Sequence, residues 1–326
     1  MIGNSPKGDA EYSDLLFYLS DHIKGKNLTI SSLKKKIWLL QIDEEYWIVK
    51  KFSSGQLLQN QVLLTEKLHQ YSFINTYRFH PIHQESSLSS LLEKEGLGIF
   101  EYIQPHKKNV FHFTTKRKRK HALQLLEKYH HTVKHFTDEF QSRLQPFSQL
   151  AKWHSRLLEF IHYHSLMKGY MPNNYFQHYV MWAQWSLQEL YQMEAYLHHL
   201  PLHVIHGDVV DHNFLLGANN RLYLIDFDLM RLAPKIIDYL QFANRILPHI
   251  NWSLEELLKE DLPKEFESRF FLTALIFPTD ILREWNRFIK GSNTYKQKVW
   301  HYLYDLTFSQ FSYRKQFVDQ IIRKLK

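Results

Sequence analysis

Apolar positions along this chain fall into two regimes. Between Leu28 and Phe52 they come as short runs, Leu28-Thr29-Ile30, Ile37 to Ile42 and Tyr46 to Phe52, separated by the polar turns Ser31 to Lys36 and Asp43 to Glu45. Short β-branched and aromatic runs broken by tight polar turns predict an antiparallel meander. Around it the spacing is helical, with Tyr12, Leu15, Leu16, Leu19 and Ile23 over 11–24, and Leu58, Val62, Leu64 and Leu68 over 57–71. Gly98 to Ile103 predicts one further strand, ending at Gln104-Pro105. Beyond it the pattern is helical over 147–168 and 174–199, divided by Gly169 and Pro172, and again over 263–277, 279–290 and 293–325, broken at Pro278 and Gly291. The expected fold class is α+β and bilobal: a small antiparallel β lobe over 1–103 and a large, mainly helical lobe over 104–326.

One stretch interrupts the helical half. In Leu202 to Asp228, LHVIHGDVVDHNFLLGANNRLYLIDFD, the apolar runs Phe214–Leu216 and Leu222–Ile225 flank a turn at Gly217 to Asn220. This reads as a hairpin. A hairpin brings its ends together, so Asn213 before it and Asp226 after it are expected side by side, with Asp208 in the loop ahead. Two carboxylates and an amide oxygen at one loop mouth suit phosphoryl transfer. Asn213 and Asp226 offer oxygen ligands to Mg²⁺, and Asp208 can accept the proton of an attacking hydroxyl. A lone His-Gly-Asp is common and an aspartate at a strand end often only caps a turn, so the ordered set carries the reading.

That set, His206-Gly207-Asp208, Asn213 and Ile225-Asp226-Phe227-Asp228, resembles the signature of the protein-kinase-like superfamily in its aminoglycoside and choline phosphotransferase group. The resemblance implies ATP and Mg²⁺ as cofactors, Asp208 as catalytic base, and supporting roles for His206, Asp228 and Asp238, the last in the helix after Pro234. It further implies a strand lysine that pairs with phosphates, matched by Lys50 with Lys51 as the alternative on the opposite face of the strand. A helical glutamate should hold that lysine; Glu66 matches in one alignment, Gln61 or Leu63 in another. Glu101 and Ile103 lie on the strand that corresponds to the adenine-binding hinge. The turn Ser31 to Lys36 departs from the family's pattern, because it contains no glycine. Shorter pieces, NFLL, LIDFDLMR, EKLHQYSF and Phe277-Pro278, resemble the CotS-type spore-coat-associated branch of endospore-forming bacteria, which implies spore coat proteins as partners.

Composition narrows the field. The 326 residues include 44% hydrophobic and 15% aromatic positions, enough for large cores, and no cysteine, which excludes disulfides and thiol catalysis. No basic leader followed by an apolar run and no long apolar window occurs, so neither a signal peptide nor a membrane span is expected and a cytoplasmic setting fits; the coat of the forming endospore is implied by the CotS-type resemblance alone. The formal charge of +8 is concentrated in Lys34 to Lys36 and Lys116 to Lys120. The second run either starts a helix, against its macrodipole, or forms a loop before a helix from His121. The charge suits phosphate-bearing ligands, but no nucleic-acid motif accompanies it. His162, His164, His198, His199 and His203 point to different helix faces, which argues against zinc. Three functions compete: a phosphotransferase acting on a small-molecule hydroxyl, a catalytically weak or inactive kinase-like coat assembly protein, and a basic nucleic-acid binder. Asp211, His212 and Arg231 are the residues near enough to the loop to touch an acceptor.

Overall fold

The computed structural model describes residues 27–84, 86–263 and 267–326. The helix expected over 11–24 lies outside them. The chain divides into two compact units, one running to Val110 and including Leu215–Asp228, the other comprising Phe111–Phe214 and Leu229–Lys326.

In the first unit, β1 (Leu28–Lys34), β2 (Ile37–Ile42), β3 (Glu45–Lys51) and β4 (Leu97–Glu101) form one antiparallel sheet in sequence order. Ser31 and Ser32, read above as turn, belong to β1, because Ser31 pairs with Leu39 and Ser32 with Trp38; the turn is confined to Lys35 and Lys36. Ile30, Trp38, Leu40, Ile42, Val49 and Ile99 form a core on the sheet. Each such burial contributes about 1.5–3 kcal/mol. Helix α1 (Gly55–Gln70) starts where Ser54 Oγ accepts the Leu57 N–H, and it buries Leu58, Leu64 and Leu68. Helix α2 (Ser86–Glu95) follows. The hairpin of β6 (Phe214–Leu216) and β7 (Leu222–Leu224) is tied into this unit by backbone. Ala218 N–H donates to the Gln104 carbonyl (2.8 Å), His106 N–H to Leu216 (2.8 Å), and Leu224 N–H to Asn75 (2.8 Å).

The second unit is helical apart from β5 (Leu202–Ile205), antiparallel to β8 (Arg231–Pro234), and the first residue of β6. Helix α3 (Lys116–Val133) begins inside the basic run, so the alternative start near His121 is not adopted. Two anions relieve the charge at its N-terminus: buried Arg119 meets buried Glu260 at 2.7 Å, and Lys120 meets Asp261 at 2.7 Å. Helices α4 (Gln149–His162), α5 (Asn173–Gln192) and α6 (Ile236–Ile246) are followed by α7 (Arg269–Ile276) and α8 (Thr279–Lys290). The helix expected over 293–325 is two, α9 (Asn293–Tyr304) and α10 (Phe311–Leu325), joined by a π-type turn at Asp305–Ser309. The wider turn carries Thr307, whose carbonyl accepts the Tyr179 hydroxyl (2.6 Å) and whose Oγ1 accepts the Trp285 indole N–H (2.9 Å). Among the described residues no helix is long and apolar enough to cross a membrane.

His83 braces β4, its Nε2 accepting the Ile99 N–H at 2.9 Å while its ring lies edge-on to Phe79. Burial, then the neighbouring His80, push its pKa down to about 4. Because the unfolded ring takes up its proton near 6.5, stability from the neutral ring is complete above pH 6.5 and is lost as pH falls towards 4. We expect wild-type unfolding free energy to drop more steeply than that of His83→Gln between pH 6.5 and 4, by on the order of 2 kcal/mol, in urea titrations. Parallel curves would refute this.

Candidate functional site

In the first unit the chemistry gathers around Lys50. Strand alternation sends Val49 and Lys51 to one face and Lys50 to the other. Lys50 Nζ lies 2.9 Å from Asp226 Oδ1 and 2.7 Å from Asp228 Oδ1. Lys51, the alternative, pairs with Glu95. Asp226 sits at φ +67, a left-handed conformation uncommon for an aspartate and of the kind held at functional sites. Phe227 anchors the segment, fully buried with its ring edge-on to Tyr77.

The expected pair between Lys50 and Glu66 is not formed. Glu66 is exposed on α1, and among the described residues no ion pair joins it to Lys50. Gln61, one turn earlier and fully buried, takes the inward position: its Nε2 donates to Asp228 Oδ1 at 2.9 Å. The Tyr77 hydroxyl donates to Gln61 Oε1 at 2.9 Å, which fixes which end of the amide faces the carboxylate. Burial first, then Asp226 and Asp228, push the Tyr77 pKa well up, so it stays a donor. Of the hinge residues, the Glu101 N–H is already held by the Arg78 carbonyl (2.8 Å) and the Tyr102 N–H by Tyr46 (3.3 Å). Among the described residues neither the Ile103 nor the Gln104 N–H makes a hydrogen bond, so both are backbone donors left past this strand end.

In the second unit the His206–Asn213 loop hangs from Asp238 on α6. The buried carboxylate accepts the His206 N–H at 2.7 Å and the Gly207 N–H at 2.9 Å. His130 Nε2 lies 3.1 Å from the same group. Burial would raise the Asp238 pKa, but the adjacent His130 and His206 rings and the Gly207 N–H outweigh it and hold the carboxyl below its usual value. Gly207 has φ +80, and a Cβ there would stand 2.0 Å from the Leu229 carbonyl oxygen, so no other residue fits. Within the loop, Asp208 N–H donates to His206 Nδ1 (3.3 Å), and Asn213 Nδ2 donates to the Asp208 carbonyl (2.9 Å). This engages the NH₂ of Asn213 and leaves its carbonyl oxygen as the end suited to a cation. Asp208 lines a cavity of about 770 Å³ together with Asp211, His212, Lys152, Arg156, Arg245 and Arg283. Arg231, the third residue expected near an acceptor, is not among the lining residues; its guanidinium donates to the Met230 carbonyl.

A family model described as the phosphotransferase enzyme family matches residues 38–256. That is well over half of the chain, which therefore belongs to this family. Among solved structures, the aminoglycoside phosphotransferase from Alicyclobacillus acidocaldarius aligns with a TM-score of 0.64 at 16% identity, over 91% of this chain and 92% of its own. The GDP complex of aminoglycoside 2'-phosphotransferase-IIIa gives 0.58 at 14%, over 96% and 99%. The AMP-bound spectinomycin phosphotransferase gives 0.52 at 15%, over 94% and 95%. Identities this low speak for the fold alone, the α+β kinase-like fold of aminoglycoside phosphotransferases. No curated protein sequence matches the chain.

Sequence reasoning did not find Tyr77, His130, or the cavity's Lys152, Arg156, Arg245 and Arg283. Each stands far along the chain from what it serves and belongs to no motif. Only the helical repeat of Lys152 with Arg156 hinted at a shared face. Removing the Asp238 carboxylate leaves two loop N–H groups without their acceptor. We expect Asp238→Ala to lower the urea-derived unfolding free energy by about 3 kcal/mol or more. A loss below about 1 kcal/mol would mean that the loop does not depend on it.

Proposed function

We propose that this chain is an ATP-dependent phosphotransferase that transfers the terminal phosphate of Mg-ATP to a hydroxyl of a small molecule. The observation that carries this reading is the seat of Lys50. A half-buried ammonium from β3 rests on two carboxylates of the IDFD segment, 176 and 178 residues further along. A carboxylate pair that already holds a cation fits a divalent one, and the oxygen donors Asp226 and Asn213 suit Mg²⁺. Bound there, the ion would supply charge neutralisation at the phosphates. Lys50 then has the reach of one ammonium to share between Asp226 and phosphate oxygens, and the Ile103 N–H is the donor for an adenine edge. Asp208, positioned through His206, Gly207 and Asp238, accepts the proton of the attacking hydroxyl. The nucleotides named with the neighbouring structures, GDP and AMP, support a purine nucleotide as phosphate donor.

A second reading is favoured by two features: Lys50 lacks the helical glutamate that holds it in the superfamily pattern, and the β1–β2 turn is lysine without glycine. In it the chain is a kinase-like assembly protein of the spore coat, binding nucleotide with little turnover. The resemblance to the CotS-type branch supports that setting under either reading.

Mg-ATP at about a hundredfold over its Kd is expected to raise the melting temperature by roughly 5 °C, and Asp226→Ala to remove the rise. Asp208→Asn should keep the rise while lowering acceptor-dependent ATP consumption about a hundredfold or more. Binding in wild type without consumption would favour the assembly reading, and no shift at millimolar Mg-ATP would exclude both.

A further inference from the structure

The cavity beside Asp208 has an unusual charge composition for a site meant to take an amine-rich acceptor. Three helices bring cations to its wall. Lys152 and Arg156 stand one turn apart on α4, Arg245 lies in the last turn of α6, and Arg283 and Arg287 stand one turn apart on α8. Most of the acids present are already engaged, and one of them takes two of these cations. Glu284 Oε1 takes Arg283 at 2.7 Å and Arg287 at 3.4 Å. Asp280 is gripped by both terminal nitrogens of Arg314, at 3.0 and 2.5 Å, and Asp211 faces His112 at 2.8 Å. Arg156 donates to the Thr279 hydroxyl (2.7 Å) and carbonyl (3.2 Å), which are neutral partners.

Lys152, Arg156 and Arg245 therefore have no carboxylate partner among the described residues, and against them stands Asp208. The effect on proton affinity is consistent. Burial, then Arg283 and Arg287, bring Arg156 down to about 10. Burial, then Arg156 and Arg283, lower Lys152, and burial, then Arg283, lower Arg245. For both Lys152 and Arg245 the Asp208 charge works the other way. Cations that weaken one another on a shared wall are stabilised by an anion placed among them.

We propose that the acceptor is a hydroxylated small molecule bearing a carboxylate or phosphate group, received by Arg245, Arg156 and Lys152 while its hydroxyl meets Asp208. This rests on the phosphotransferase reading and specifies its substrate. In the step it implies, the hydroxyl oxygen bonds to the terminal phosphorus of ATP, the bond from that phosphorus to the bridging oxygen breaks, ADP leaves, and the hydroxyl proton goes to the Asp208 carboxylate. A volume near 770 Å³ accommodates a molecule of sugar-acid or sugar-phosphate size, with room to spare.

The test compares gluconate, glucose 6-phosphate, glucose and kanamycin as acceptors with ATP, and measures binding of the two acids without nucleotide by calorimetry. At least one acid is expected to exceed glucose by about tenfold or more in kcat/KM, and Arg245→Gln to erase that advantage through KM with little change in kcat. Gluconate against glucose 6-phosphate separates carboxylate from phosphate. Arg287→Gln, at the exposed rim, provides a second variant whose folding is not at risk, with a smaller effect in the same direction. Transfer to glucose or kanamycin as good as to the acids would overturn the anionic acceptor while leaving the phosphotransferase reading intact. With no turnover of any acceptor, acid binding that Arg245→Gln abolishes would uphold the anion site and remove the enzymatic reading. Absence of acid binding to wild type would overturn the proposal.

Discussion

In the helical unit the placement of the proposed base depends on one buried carboxylate. Asp238 accepts two consecutive backbone N–H groups of the loop that carries Asp208, and His130 closes the third side. A charge with no solvent contact is costly unless every side of it is met by donors, so the site admits few arrangements of its neighbours. Gly207 follows from the same constraint: with its N–H held by Asp238 and Leu229 packed against its Cα, the backbone turns through a conformation only glycine takes without strain. The loop's rigidity is thus a consequence of satisfying Asp238, and Asp208 inherits it.

The other unit solves a different electrostatic problem. Asp226 and Asp228 lie two residues apart and both face Lys50, so a single ammonium balances two carboxylates. A glutamate in the inward position of α1 would add a third anion to that cluster. Gln61 instead meets Asp228 with its NH₂ and takes the Tyr77 hydroxyl on its oxygen, which satisfies the buried amide at both ends without adding charge. The departure from the superfamily pattern at Glu66 is therefore compensated locally: the lysine is held by the IDFD segment and the segment by Gln61.

Surplus positive charge, concentrated in the sequence in two short runs, has a more specific distribution in the fold. Arg119 and Lys120, from the basic run, are consumed in ion pairs with Glu260 and Asp261. Lys152, Arg156 and Arg245, on α4 and α6, instead face one cavity with no carboxylate partner among the described residues. Net charge told nothing of this, because pairing depends on which acids fold back onto which cations.

The sequence alone determined the β meander, the succession of helices, the hairpin and the ordered set of Asp208, Asn213 and Asp226, because each is written in local periodicity or in spacing within a few dozen residues. It also offered Lys50 through the resemblance, with Lys51 as the alternative that strand alternation puts on the opposite face. The partner of Lys50, the inward turn of α1 and the charge of the cavity by Asp208 were decided only by the tertiary structure. Helical periodicity leaves the rotation of α1 open by a turn, and that turn separates Gln61 from Glu66. Which of 41 basic residues share a wall without a carboxylate partner depends on contacts between helices far apart in the chain, and no local pattern encodes it.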